Sequence, residues 1–242
     1  MRYLINLSYD GSNFFGSQKQ KDKKTVIGEL ERVISKIFDE EIKVVGCSRT
    51  DRKVHALDYY AHFDSKKEKE LSTLKHSINS LIDKSIFIKD IKIVNNLFHS
   101  RFDVKTKEYV YKINTKEYDP VSKDYIFQYN KEINISLMKK IAYKIEGKHN
   151  FHAFTSDTPI EECIRTINYI KITKEDKLVC IYICASGFLK YMVRNIVGLM
   201  LEINEGKKDI EIISKLFKDK NRSDNAVKAS PEGLYLNKVN YK

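Results

Sequence analysis

Met1-Arg2-Tyr3-Leu4-Ile5-Asn6-Leu7-Ser8-Tyr9-Asp10-Gly11 opens the chain. Tyr3, Ile5 and Leu7 fall on one side of an alternating pattern, with Leu4 and Asn6 on the other. That period of two predicts a strand over residues 1–8. Tyr9-Asp10-Gly11-Ser12-Asn13 then supplies turn chemistry. From Thr25 to Phe38 the period changes: Val26, Ile27, Leu30, Val33, Ile34 and Ile37 recur at helical spacing. Thr25 is placed to cap that helix, although Glu29 lies one residue too far on for a strict capping box.

Working outward, residues 42–45 and 59–63 read as short strands, 71–81 as a helix, and 86–94 and 108–113 as strands. Further on, 135–145 reads as a helix, 166–172 and 178–185 as strands, 188–203 and 210–217 as helices, and 234–241 as a closing strand. This order predicts an α+β fold with a mixed, largely antiparallel sheet and helices packed on it. Nothing rich in Gly, Ser or Pro separates the two halves, and the boundary is set at residues 1–103 and 104–242. A cleft between the halves is the expected place for a site.

The 242 residues are 42% hydrophobic, enough to bury a core. The formal net charge is +11, which favours a polyanionic partner. A Lys-rich, Trp-free composition also follows from AT-rich coding, so charge alone does not decide for nucleic acid. Cys47, Cys163, Cys180 and Cys184 lack the paired spacing of a zinc site and read as buried, reduced thiols. The chain is expected to be soluble and cytoplasmic, with no membrane span and no metal.

Four places carry candidate chemistry. Asp51 lies in Gly46-Cys47-Ser48-Arg49-Thr50-Asp51-Arg52-Lys53-Val54-His55-Ala56, between two predicted strands. A carboxylate beside Arg49 and Arg52 stays ionised and could serve as a nucleophile or base. By residue chemistry alone, a surface turn with ordinary ion pairs is the better reading. His55 suits a proton shuttle, a structural role or an RNA contact. In the 188–203 helix the apolar stripe leaves Arg194 to one side, near Lys190 and Gly198. That makes it a solvated residue, or else a cation aimed into a cleft. Tyr109 and Tyr111 share one strand face among Lys105, Lys107 and Lys112, which fits base stacking and core packing equally.

Taken together the motifs resemble the tRNA pseudouridine synthase A family along nearly the whole chain. The matching residues are Tyr9-Asp10-Gly11 with Phe14, Gly16, Gln18 and Gln20. Next come Gly46, Arg49, Thr50, Asp51, Val54, His55 and Ala56, and then Phe98-His99-Ser100-Arg101-Phe102 with Tyr109 and Tyr111. Phe188-Leu189 with Met192-Val193-Arg194-Asn195-Ile196-Val197-Gly198, and Glu232-Gly233-Leu234-Tyr235-Leu236, complete the set. The resemblance implies isomerisation of uridine to pseudouridine in the tRNA anticodon stem-loop, at positions 38, 39 and 40. It implies two ferredoxin-like (RRM-like) halves, a homodimer and no cofactor. It assigns Asp51 as the catalytic carboxylate, Tyr109 as the residue packing on the target base, and Arg194 as the partner of Asp51. Gln18, Arg49, His55 and Arg101 are the further candidates for substrate contact.

Five positions depart from the family pattern, and two of them, Cys47 and Ser48, replace small residues without harm to the motif. Arg52 and Lys53 stand where a small residue and Gly are usual, and Ser17 replaces a larger aromatic. Gly tolerates φ > 0 and Lys does not do so freely, so a different loop backbone is expected here. A paralogue aimed at another RNA uridine, and a non-catalytic basic RRM-like RNA-binding protein, remain alternatives. A base deaminase would need a zinc signature that this chain lacks.

Overall fold

The first strand, β1 (Arg2–Tyr9), buries Tyr3, Ile5 and Leu7 completely, as its alternation requires. Leu4 on the opposite face is also buried, so this strand is covered on both sides. Helix α1 (Val26–Phe38) follows, with the Thr25 side chain accepting from the Gly28 N–H at 3.2 Å, so Thr25 is the cap. Next come β2 (Val44–Gly46), β3 (His55–Asp64), α2 (Leu71–Leu81) and β4 (Ile86–Val94). The computed structural model describes residues 1–156, 159–225 and 227–241.

The later elements are β5 (Val104–Asn114), β6 (Phe127–Gln128), α3 (Ile135–Ile145), β7 (Gly147–Asn150), β8 (Ile164–Glu175) and β9 (Leu178–Ala185). They are followed by α4 (Met192–Asn204), α5 (Ile212–Asp219) and β10 (Leu234–Tyr241). The chain is thus α+β, with ten strands and five α-helices among the described residues.

The chain forms two compact units. One comprises Met1–Lys105 together with the end of the chain from Tyr235, the other Thr106–Leu234. The closing strand therefore groups with the first unit, whereas the sequence division at 103/104 assigns it to the second half. In the first unit β1 pairs antiparallel with β3 and β4, β2 pairs antiparallel with β3, and β10 runs parallel to β3. Phe38 of α1 meets the stacked Tyr3 and Phe63 rings edge-on, and Asn79 of α2 bonds both the N–H and the carbonyl of Ile88 on β4. In the second unit β9 pairs antiparallel with β5 and β8, β7 extends β8, and β6 runs parallel to β5. Phe151, Phe154 and Phe217 pack together in the core of this unit.

Two short strands, β6 and β7, escaped the sequence reading because neither is long enough to show alternation. Helix α4 was expected from residue 188 but starts at Met192. Tyr191 holds φ +64°, a left-handed conformation that cannot continue into a preceding helical turn. The four cysteines are buried thiols, as their spacing suggested.

The loop between β2 and β3 corrects one expectation. Lys53 does adopt the left-handed region, at φ +66°, so its side chain has not forced that backbone position out of the conformation glycine would favour. An L-residue there costs about 1–2 kcal/mol, and glycine returns about 0.4–1 kcal/mol through its freer unfolded chain. Lys53→Gly is therefore expected to stabilise the protein by about 0.5–1 kcal/mol, read as a raised urea midpoint at unchanged slope. Lys53→Ala should be close to neutral.

His62 on β3 generates a second expectation. It is 4% exposed, and its Nδ1 accepts from the Ser100 N–H at 3.1 Å. Burial, then the charges of Arg2 and His99, push its pKa down from 6.5 to about 4. The unfolded chain therefore takes up this proton first as pH falls. Above pH 6.5 the group contributes no pH dependence, and between 6.5 and about 4 it progressively destabilises the fold. The loss should reach on the order of 3 kcal/mol. Urea titrations at stepped pH should show this slope, and His62→Gln should flatten it.

Candidate active-site residues

Asp51 sits half-buried in the β2–β3 connection. The neighbouring backbone is tied to residues 9–17. The Thr50 N–H donates to Ser17 Oγ at 2.8 Å, and the Ser17 N–H donates to the Thr50 carbonyl at 3.1 Å. Tyr9 Oη and Thr50 Oγ1 share a buried hydrogen bond of 2.8 Å. On the far side of Asp51, the Lys53 N–H donates to the Phe14 carbonyl and the Val54 N–H closes a turn on the Asp51 carbonyl. A Cβ on Gly11 would lie 2.0 Å from the Val54 carbonyl oxygen, so only glycine fits that crossing. The Tyr9-Asp10-Gly11 to Gly16 segment is thus the cradle of the Asp51 loop. The sequence marked Thr50 as a motif residue and Ser17 as a departure, but gave no sign that the two bond to each other, because that pairing is long-range.

His55 is the first residue of β3 and only 2% exposed. Its Nδ1 accepts the Gly11 N–H at 3.1 Å and lies 3.2 Å from Asp10 Oδ1, and its ring stacks on Tyr235 at 4.6 Å. This placement makes it structural: it supports the turn that supports Asp51. Arg52 lies over the Phe15 ring at 4.4 Å, a cation–π contact. Gln18, Arg49 and Arg101 are exposed and line one recess with Ser17, Gly46 and Ser48, of about 220 Å³. Three of the expected substrate contacts are therefore brought together, and His55 is held apart from them.

In the second unit, Tyr109 stands opposite Ile183 on β9 and is 6% exposed, with Phe188 edge-on to it at 5.1 Å. Tyr111, two residues on, is fully buried and donates its hydroxyl to the Ser230 carbonyl at 2.8 Å. Burial raises its pKa well above the ordinary value, so it is a packing residue.

Arg194 overturns the solvated reading. It is 8% exposed, because nearly every position of α4 is covered. Its Nε–H donates to the Ala229 carbonyl at 2.7 Å, and the Ala229 N–H donates back to the Arg194 carbonyl at 3.0 Å. The chain near 227–229 therefore runs close along the helix. A Cβ on Gly198 would come within 2.1 Å of the Val227 carbonyl oxygen. Alanine would otherwise help a helix by about 1 kcal/mol, but backbone contact at that distance outweighs the gain. The residues near 229 had no periodicity to announce this role.

No group of three or more His, Cys, Asp or Glu among the described residues is arranged to hold a metal ion. Among the described residues, no helix is long and apolar enough to cross a membrane.

A family model described as tRNA pseudouridine synthase matches residues 6–103 and 141–242. The chain is 37% identical over 238 residues to the tRNA pseudouridine synthase A of Aquifex aeolicus (strain VF5), covering 98% of both. It is 38% identical over 243 residues to that of Malacoplasma penetrans (strain HF-2), covering 100% of both. It is 40% identical over 241 residues to that of Mycoplasma genitalium (strain ATCC 33530), covering 99% of this chain and 98% of the relative. Among solved structures, a chain of a Cbf5-Nop10-Gar1 complex aligns with 98% of this chain and 48% of its own length, at 14% identity and a TM-score of 0.40. Asp51 in its cradle and Arg194 on its covered helix lie within the matched segments, and the chain belongs to the tRNA pseudouridine synthase A family.

Proposed function

We propose that this protein isomerises uridine to pseudouridine in the tRNA anticodon stem-loop, at positions 38, 39 and 40. Family membership over the full length supports the reaction class. The observation that carries the reading for this chain is the Asp51 loop. A surface turn with ordinary ion pairs has no need of the buried Tyr9, Thr50 and Ser17 bonds that hold this one. A catalytic carboxylate does, because small misplacements cost large factors in rate.

In this reading the N1–C1′ bond of the target nucleoside breaks, the uracil turns, C5 joins C1′ and gives up its proton, and N1 takes up a proton in its place. Cleavage builds positive character at the sugar, as in glycoside hydrolysis. The Asp51 carboxylate meets that charge. Tyr109 walls the pocket in which the uracil turns, with its back to Phe188. Arg194 pairs with Asp51, and its buried guanidinium is suited to that role: a buried cation calls for an anion, and the planar fork matches a carboxylate. The reaction adds and removes no atoms, so its balance requires no cofactor.

The target uridine must leave its stack, at a cost of a few kcal/mol. Phosphate contacts from the basic surface offset this, with Gln18, Arg49 and Arg101 at the recess as the first candidates. His55 acts through the loop and not on the RNA. The proposal includes a ferredoxin-like (RRM-like) topology in each of the two halves, 1–103 and 104–242. It also includes a homodimer working in the cytoplasm. The departures at Ser17, Arg52 and Lys53 leave Asp51, Tyr109 and Arg194 in place and bear on which uridine is chosen.

Tritium release from uracil C5 of labelled tRNA measures turnover. Asp51→Asn is expected to lower it by about a thousand-fold or more while tRNA affinity stays near that of the parent. Substantial turnover in that variant would remove Asp51 from the chemistry. Arg194→Ala is expected to lower kcat by about a hundred-fold with little change in KM, in the range of a lost electrostatic contact. A fall in tRNA affinity with kcat intact would make Arg194 a phosphate contact instead.

A further inference from the structure

We infer that the turn after β4 is a second RNA-reading element, in which Phe102 stacks on an unpaired base and Arg101 holds the adjoining phosphate. The inference rests on the RNA-substrate reading above but not on the identity of the catalytic group.

Phe102 is 70% exposed, unusual for a ring next to a structured turn. Single exposed apolar residues are common and need no explanation when they sit on loose chain. This one does not. Its inner face lies on the His99 ring, 4.2 Å away and 29° from parallel. His99 in turn meets the buried His62 edge-on at 4.9 Å.

The backbone is held just as firmly. His99 Nδ1 accepts from the Arg101 and Phe102 N–H groups at 3.1 and 3.2 Å. The His99 N–H donates to Asp103 Oδ2 at 2.7 Å, and the Asp103 N–H returns to the His99 carbonyl at 3.1 Å. Ser100 is fully buried, with its Oγ donating to the Val45 carbonyl at 2.7 Å.

A largely exposed aromatic ring supported from behind, on a well-bonded turn, can take a base at little entropic cost once the Arg101 side chain swings toward the phosphate. Every base has a π-face to lay on such a ring. The flanking chemistry selects nucleic acid over an apolar protein partner. The Arg101 guanidinium lies 5.8 Å from the Phe102 centroid and also lines the recess that holds Arg49 and Gln18. Arg101 thus lies over the Phe102 ring and at the recess, so a cation and a stacking surface adjoin, the pairing that a base and its phosphate need. The chain's net charge of +11 has the same sign.

The test uses the full-length chain carrying Asp51→Asn, so that RNA binds without turnover, with an unmodified tRNA transcript as probe in a fluorescence-anisotropy titration. Phe102→Ala is expected to raise Kd about ten-fold, within the range that losing one base stack gives. Phe102→Leu keeps the apolar bulk and the fold but has no π-face, and it should show the same loss. Phe102→Tyr should restore binding to within about two-fold, and Phe87→Ala, removing an exposed ring of β4, should change nothing.

An unchanged Kd for Phe102→Leu overturns the inference. So does a Phe102 variant that alters the sedimenting mass while RNA affinity per protomer is kept, since that outcome makes the ring a contact between copies of the chain. A parent that binds tRNA through Phe102 yet forms no pseudouridine would uphold this inference and sink the catalytic reading.

Discussion

The reciprocal hydrogen bonds between Ser17 and Thr50 are the constraint on which the Asp51 loop depends. They join two segments more than thirty positions apart in sequence, one following β1 and the other preceding β3. Asp51 comes directly after Thr50, so its position is inherited from this tie and from the Tyr9 hydroxyl that seals it. Buried polar groups of this kind must all be paired, because leaving one unpaired costs about 1–3 kcal/mol. The loop is held in one arrangement for that reason, and the Asp51 carboxylate is held with it.

The second unit meets a similar demand by other means. Arg194 is brought under cover by a stretch of chain with no regular structure, which bonds to the helix backbone and to the Arg194 side chain through the same residue, Ala229. That approach is close enough to exclude a side chain at position 198. Tyr111 anchors the next turn of the same stretch through Ser230. The glycines and tyrosines of the motifs thus serve as spacers and anchors for the segments between them. They keep Arg194 and Tyr109 at fixed places on α4 and β5.

Lys53 and Tyr191 are the points of backbone strain next to this machinery, each in the left-handed region with a full side chain. Such residues persist only when their surroundings determine them. Lys53 is held by the Phe14 carbonyl on one side and the Asp51–Val54 turn on the other. Ser17 is buried in the tie to Thr50, whereas Arg52 is exposed over the Phe15 ring, so the departures from the family pattern fall on both the packed and the outer side of this loop.

Alternation in β1 and the helical period from Thr25 to Phe38 are local properties, written in consecutive residues. For this reason the sequence by itself determined the α+β class, most of the elements and the cap at Thr25. The order of the five motifs determined the family, since each motif is a short run of neighbours. Three features were decided only by the tertiary structure: the burial of Arg194, the structural role of His55 and the supported ring of Phe102. In each case the deciding partner is remote in sequence: Ala229 for Arg194, Tyr235 for His55, and for Phe102 the His62 ring behind His99. Periodicity reports which side of an element faces inward. It does not report what a distant, irregular segment will lay across the other side, and that is where Arg194, His55 and Phe102 acquire their surroundings.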